Sequence, residues 1–237
     1  MEAVRGMIRF ERGMFPYVSW VSNLCFTGVI LNPFRKPIPN VVVRELYGEM
    51  VLNPDGFYIY STDPEVYLRT LNAIEFRDMF DRIIAQKPFA IHFHFRLASS
   101  GAIDVGNVHG WKLGDYLITH NGVVRSYAGR RDLCDTLILV KQREFQELLA
   151  DKRWSELYDY IAGKGFYGVM FIVNKDFSEI YAISTMKHIE YSQANEITYA
   201  TSGDFLKGKG LRRIKLENYV NGIFQITHEK VRTLVQE

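Results

Sequence analysis

Residues 89–122 read FAIHFHFRLASSGAIDVGNVHGWKLGDYLITHNG and hold four of the six histidines in the chain. From Pro88 to Phe95 the run is apolar apart from His92 and His94, which stand two apart. A period of two is that of a strand, so both imidazoles project from one face. A polar, glycine-containing stretch follows, and apolar character resumes over Tyr116–His120, a second strand. Two histidines on one strand face are a geometry a metal site uses. No third ligand stands at a familiar spacing and no HExxH follows, so the pair reads as buried strand histidines and no metal is expected.

Working outward, an irregular lead precedes a buried strand, Leu24 to Leu31, stopped by Asn32-Pro33. Pro37-Ile38-Pro39-Asn40 reads as a turn, and Asn53-Pro54-Asp55-Gly56 is a stronger one that feeds a strand over Phe57–Tyr60. Between Pro64 and Gln86, Val66, Leu68, Leu71, Ile74, Phe76, Met79, Phe80 and Ile83 predict one bent helix or two in succession. A helix over Asp132–Val140, capped by Asp132, precedes helical stretches at Glu144–Leu149 and Trp154–Ala162. Strands are expected at Phe166–Val173, Ile180–Ser184, Ile197–Ala200 and Gly222–Ile226. Antiparallel-looking strands with helices grouped between them indicate an α+β layered domain, and no GxGxxG or P-loop is present to cradle a nucleotide.

The chain has 237 residues, enough for one large domain or two small ones. At 47% hydrophobic and 24% charged it excludes a disordered or fibrous protein. With 29 basic and 27 acidic residues the net charge of +2 gives no reason to expect nucleic acid as partner. Cys25 and Cys134 are too few for a disulfide framework and form no CxxC pair, which fits an intracellular, cytoplasmic protein with free thiols. The uncharged interval between Arg12 and Arg35 is broken by Pro16, Ser19, Ser22 and Asn23, and Leu24 is too large for a signal-peptidase site, so neither export nor a membrane span is expected. Lys207, Lys209, Arg212, Arg213 and Lys215 form a basic cluster that reads as a solvated loop and strand edge.

Four features admit both a structural and a chemical reading. Arg96, ending an apolar strand, forms a surface ion pair or presents its fork to a ligand carboxylate. Asn121-Gly122 is a hairpin signal, or a side-chain amide beside a glycine N–H, the donors of an oxyanion hole. Asp135 suits a helix N-terminus whatever else it does. Cys25, at the start of a strand, is an inert buried thiol or a nucleophile.

The order Cys25, Asn53-Pro54-Asp55-Gly56, His94-Phe95-Arg96-Leu97-Ala98-Ser99-Ser100-Gly101, Asn107-Val108-His109, His120-Asn121-Gly122, Asp135-Thr136 resembles the class II glutamine amidotransferase domain of the N-terminal-nucleophile hydrolases. Tyr199-Ala200-Thr201-Ser202 resembles a late strand of that family. The resemblance implies a four-layer αββα sandwich of two antiparallel sheets over residues 25–237, with residues 1–24 a lead or propeptide. It implies Cys25 as nucleophile, Asn121 and Gly122 as oxyanion donors, Arg96 on the α-carboxylate of glutamine, Asp135 on its α-ammonium, and Ser99 near the substrate. The substrate would be glutamine or a related amino-acid amide, with no cofactor. No synthase domain follows in the sequence, so the ammonia would pass to a separate accepting subunit.

The chain departs from that pattern at one peptide bond. In the family the nucleophilic cysteine is the mature N-terminus, and its α-amine, of ordinary pKa ~7.7–8.0, accepts the thiol proton. Here Cys25 is internal, and an amide nitrogen is not a base. Three explanations stand: cleavage at Leu24–Cys25, initiation at codon 24, or a catalytically inactive binding or structural protein that kept the fold. Ser100 replaces a frequent histidine and His109-Gly110 replaces His-Pro. A related hydrolase acting on another γ-glutamyl or amide substrate is the alternative within enzymes.

Overall fold

The computed structural model describes residues 25–206 and 213–236, and for 213–215 the backbone alone. The lead 1–24 and most of the basic cluster, Lys207, Lys209 and Arg212, lie outside the described residues. Seven strands make a first sheet, in chain order β1 (Phe26–Leu31), β2 (Phe57–Thr62), β3 (Glu65–Thr70), β4 (Ala90–Phe95), β9 (Ile189–Ala194), β10 (Ile197–Thr201) and β11 (Arg213–Tyr219). Six make a second, namely β5 (Trp111–Leu113), β6 (Tyr116–Val124), β7 (Phe166–Asn174), β8 (Ile180–Thr185), β12 (Gly222–Ile226) and β13 (Val231–Gln236). The spatial orders are β11-β9-β10-β1-β4-β2-β3 and β13-β12-β8-β7-β6-β5, every pairing antiparallel.

The period of two assigns each strand's faces. On β1, Phe26 and Ile30 pack with Val42 and Leu46 of helix α1 (Asn40–Leu52) and with Phe76, Phe80 and Ile83 of α2 (Ala73–Ala85). Val29 and Leu31 point the other way and meet Leu117, Val169 and Phe171 of the second sheet. On β7, Met170 and Ile172 face α3 (Asp135–Val140), α4 (Arg143–Ala150) and α5 (Trp154–Gly163), through Leu139, Phe145, Leu157 and Ile161. Helices therefore cover the outer face of each sheet and the inner faces cover each other, a four-layer αββα sandwich. The inner strands β1, β4 and β8 are buried on both sides, and each Phe or Ile so placed contributes ~1.5–3 kcal/mol relative to exposure.

Three local readings change. Residues 65–70 form β3, not the start of a helix, because Val66 and Leu68 are spaced by two and pair across a hairpin with Ser61 and Ile59. The helical run begins only after Asn72, whose Oδ1 accepts from the N–H groups of Ile74 and Glu75 at 3.0 and 3.3 Å. Residues 37–40, read as a turn, lead directly into α1, which Pro39 precedes. The helix over 132–140 starts at Asp135, and its cap is Cys134, whose Sγ accepts from Leu137 N–H at 3.4 Å, in place of Asp132.

A polar seam crosses the gap between the sheets. Thr27 Oγ1 donates to Phe93 O at 2.8 Å, so the 2.7 Å contact between the Thr27 and Thr119 hydroxyls takes its proton from Thr119. Thr119 Oγ1 then accepts from His92 Nε2 at 2.9 Å, and His92 Nδ1 is left to accept from Tyr58 O–H at 3.2 Å. The chain runs in one direction and requires a neutral His92 with its proton on Nε2. Burial holds His92 down to about 3. Burial also depresses His94 and His109, whose rings stack with centroids 4.0 Å apart, and lowers His120 to about 4.

These four histidines bind protons more readily unfolded than folded. Their contribution to stability is complete above the unfolded value of ~6.5 and is lost as pH falls toward the folded values, at up to ~1.4 kcal/mol per histidine per pH unit. The melting temperature followed by circular dichroism should fall steeply between pH ~6 and ~4. A melting temperature level across that range would contradict the neutral seam.

Candidate active site

The inter-sheet gap opens at one end into a cleft of about 630 Å³, and Cys25 and Asn121 both line it. Their meeting follows from register. Cys25 is two residues before Thr27 on β1 and Asn121 two after Thr119 on β6, so each shares the face of the threonine that bridges the sheets. Phe26, Tyr167, Lys187 and Ser202 are further walls of the same space.

Cys25 is 8% exposed. Its Sγ donates to Leu97 O at 3.4 Å and accepts from Leu97 N–H at 3.3 Å, which places it against the strand end that carries Arg96. Burial raises the thiol pKa, while the Leu97 hydrogen bond and the charges of Arg96 and Lys187 pull it down. Asn121 Nδ2 donates to Ser202 Oγ at 2.8 Å, and among the described residues its buried Oδ1 has no partner. Ser202 Oγ also accepts from Thr27 N–H at 3.2 Å, so one hydroxyl ties β1, β6 and the end of β10 together around the thiol.

Asn121 and Gly122 lie inside β6, opposite Val169 and Gly168, not in a hairpin turn. Glycine is required at 122 by close approach, because a Cβ there would stand 1.8 Å from Tyr167 O.

Arg96, Ser99, Gly122 and Asp135 lie outside the lining of this cleft. Arg96 is 2% exposed, and its guanidinium donates to Ala102 O at 3.0 Å and Ser100 O at 2.8 Å, so the surface ion pair is not formed. Asp135 Oδ2 accepts from Val124 N–H at 2.6 Å, and Oδ1 from Thr136 N–H at 2.8 Å and Ser100 Oγ at 3.1 Å. Ser100 thus links the two charged residues, one through its carbonyl and one through its hydroxyl. Ser99 is exposed on the same loop. The Asn53–Gly56 turn holds that loop from behind, with Asp55 N–H on Arg96 O at 2.9 Å and Ala98 N–H on Asp55 Oδ2 at 2.8 Å.

Sequence reasoning missed Lys187, which has no motif around it, and Ser202 entered only as part of a strand. Among the described residues no cluster of three or more metal-ligating side chains occurs, and no helix is long and apolar enough to cross a membrane.

This architecture is the sandwich fold of the N-terminal-nucleophile hydrolases. A solved structure of the glutamine phosphoribosylpyrophosphate amidotransferase from B. subtilis, complexed with ADP and GMP, superposes with a TM-score of 0.57 at 12% identity, over 89% of this chain and 49% of that one. A second, described as the allosteric regulatory enzyme of purine biosynthesis, matches with a TM-score of 0.52 at 11% identity over the same shares. The chain spans about half the length of these structures. No family model and no curated protein sequence matches it.

Replacing Ser202 by alanine removes the side-chain acceptor of Thr27 N–H and the shorter of two contacts of Asn121 Nδ2, which keeps only Ser202 O at 3.4 Å. A loss of ~1–3 kcal/mol in urea denaturation is expected for Ser202→Ala. An unchanged midpoint would show that the hydroxyl holds nothing together.

Proposed function

We propose that the chain is a glutamine-hydrolysing domain of amidotransferase type, in which Cys25 attacks the side-chain carboxamide. The observation that carries this reading is the convergence of the Cys25 thiol and the Asn121 amide on one cleft at the open end of the inter-sheet gap. The thiolate adds to the carboxamide carbon, negative charge gathers on oxygen, ammonia leaves, and water hydrolyses the thioester. The Asn121 side chain and Gly122 N–H serve as oxyanion donors, Asn121 through the N–H that Ser202 Oγ does not hold. Arg96 and Asp135, already joined through Ser100, supply a cation and an anion for the zwitterionic end of the amino acid, and Ser99 lies on the loop between them. Ammonia passes to an acceptor on a separate subunit.

A second reading, a protein that binds an amino-acid amide without turnover, is favoured by a different observation. Burial raises the thiol pKa, Ser202 Oγ takes one Asn121 donor, and Arg96 and Asp135 already make hydrogen bonds within the chain. Removal of residues 1–24 would free the α-amine of Cys25 as proton acceptor, so intact mass and N-terminal sequencing of the protein as produced accompany the assay.

Glutamate release from glutamine, read by a coupled dehydrogenase assay, should be abolished in Cys25→Ala while the melting temperature is retained. Release that persists in that variant would refute the nucleophile. Calorimetric binding of glutamine without release by the wild type would establish the second reading.

A further inference from the structure

A second amine lines the cleft of the thiol. Lys187 lies in the connection between β8 and β9, whose backbone is held by two side-chain hydrogen bonds. Met186 N–H donates to Asn221 Oδ1 at 2.8 Å, Met186 itself takes a positive φ of 55°, and Ser184 Oγ donates to Lys187 O. The stem passes over Gly203, with Cε 4.0 Å from where a Cβ on that glycine would sit. Gly203 follows Ser202, the hydroxyl that holds both Thr27 N–H and Asn121 Nδ2. Lys187, Cys25 and Ser202 therefore wall one cleft. Asn121, whose buried Oδ1 has no partner among the described residues, belongs to the same lining.

We propose that Lys187 is the proton acceptor for Cys25, and that it takes in this chain the part an N-terminal α-amine plays where the cysteine is the first residue. The inference rests on the reading of Cys25 as nucleophile. The proton moves from Cys25 Sγ to neutral Lys187 Nζ as the sulfur–carbon bond forms. The resulting ammonium returns it to the leaving nitrogen as the carbon–nitrogen bond breaks, and ammonia departs. In the second half Lys187 accepts a proton from the attacking water and gives it back to the sulfur as the thioester opens, so the enzyme ends as it began.

The basicity suits the task. Burial lowers Lys187 to about 8, against the opposing pull of Cys25 and Glu49. An α-amine has an ordinary pKa of ~7.7–8.0, so the two amines are matched in strength. The groups that face Lys187 are Cys25 from the start of β1, Glu49 from α1, Tyr167 from β7, and His188 and Asp204 at the rim, the last two in contact at 3.1 Å. Arg96 acts on the thiol from behind.

The test uses the full 237-residue chain, its first 24 residues verified as present by intact mass. Two readouts are taken on wild type, Lys187→Met and Lys187→Arg, each checked for an unchanged melting temperature. The first is the rate of Cys25 alkylation by iodoacetamide against pH, with the site assigned by peptide mass because Cys134 is also present. The second is glutamate release. Lys187→Met should slow alkylation at pH 7.5 about tenfold and lower kcat about 100-fold or more, with KM within about threefold, the size expected for loss of a general base. Lys187→Arg should restore alkylation, because a guanidinium still favours the thiolate, but not turnover, because it accepts no proton.

An alkylation rate that Lys187→Met leaves unmoved overturns the proposal whatever the turnover assay gives. Turnover restored by Lys187→Arg also overturns it, since charge alone would then suffice. A wild type that alkylates in a Lys187-dependent way but releases no glutamate refutes the glutaminase reading and leaves the pairing of lysine with thiol standing.

Discussion

The hydroxyl pair Thr27–Thr119, 2.7 Å apart in the middle of the sandwich, sets the register between the two sheets. A polar group between two buried faces has no water to fall back on, and leaving it unpaired costs ~1–3 kcal/mol, so each must find its partner across the gap. Tyr58, His92, Thr119, Thr27 and the carbonyl of Phe93 meet that demand as one directed chain. A slip of one residue on either strand would turn a threonine outward and leave the remaining hydroxyl without its threonine partner. Because Cys25 and Asn121 are each two residues from a member of this pair, the constraint that aligns the sheets also brings thiol and amide together.

Much of this was legible in the residues, for identifiable reasons. Strands buried on both faces read as near-continuous apolar runs, which is why Phe166–Val173 and Pro88–Phe95 are legible as strands. The helix assigned over 64–71 failed because two apolar residues spaced by two satisfy a loose helical count, and the partner strand β2 decided the matter through pairing. α1 was missed because Pro37 and Pro39 draw attention as turn residues, although a proline just before a helix is also a common way for one to begin. β5, β9 and β13 are short or polar, such as the alternating Ile189–Ala194, and exist because neighbours pair with them. Asn121-Gly122 carried a hairpin signal that tertiary structure overrode, since the same glycine is needed where β6 and β7 come too close for a Cβ.

The site differs in kind from the fold in how it could be read. Cys25, Arg96, Asn121 and Asp135 were candidates because their chemistry is uncommon in a core and their order matched a known pattern. Lys187 and Ser202 were not, because a lysine in a strand connection and a serine after a strand are unremarkable in sequence. Only folding shows that the connection between β8 and β9 and the end of β10 converge on the thiol.

The burial that encloses the thiol also explains why a nearby amine matters. Withdrawal from water disfavours whichever form of a group is charged, so it raises a thiol and lowers an ammonium. Cys25 is pushed upward and Lys187 downward to about 8, which favours the uncharged pair, thiol beside amine, over thiolate beside ammonium. Phe26, Tyr167, Met186 and Val220 wall the same space and reinforce that preference. A neutral thiol is a poor nucleophile, and sulfur becomes effective only as its proton leaves. In such a cleft the proton is best passed within the pair as a ligand's carbonyl oxygen begins to take up charge, so that no isolated ion forms in the apolar surroundings. A free α-amine at Cys25 would meet the same requirement, and where that nitrogen is locked in a peptide bond the proposal passes the requirement to Lys187.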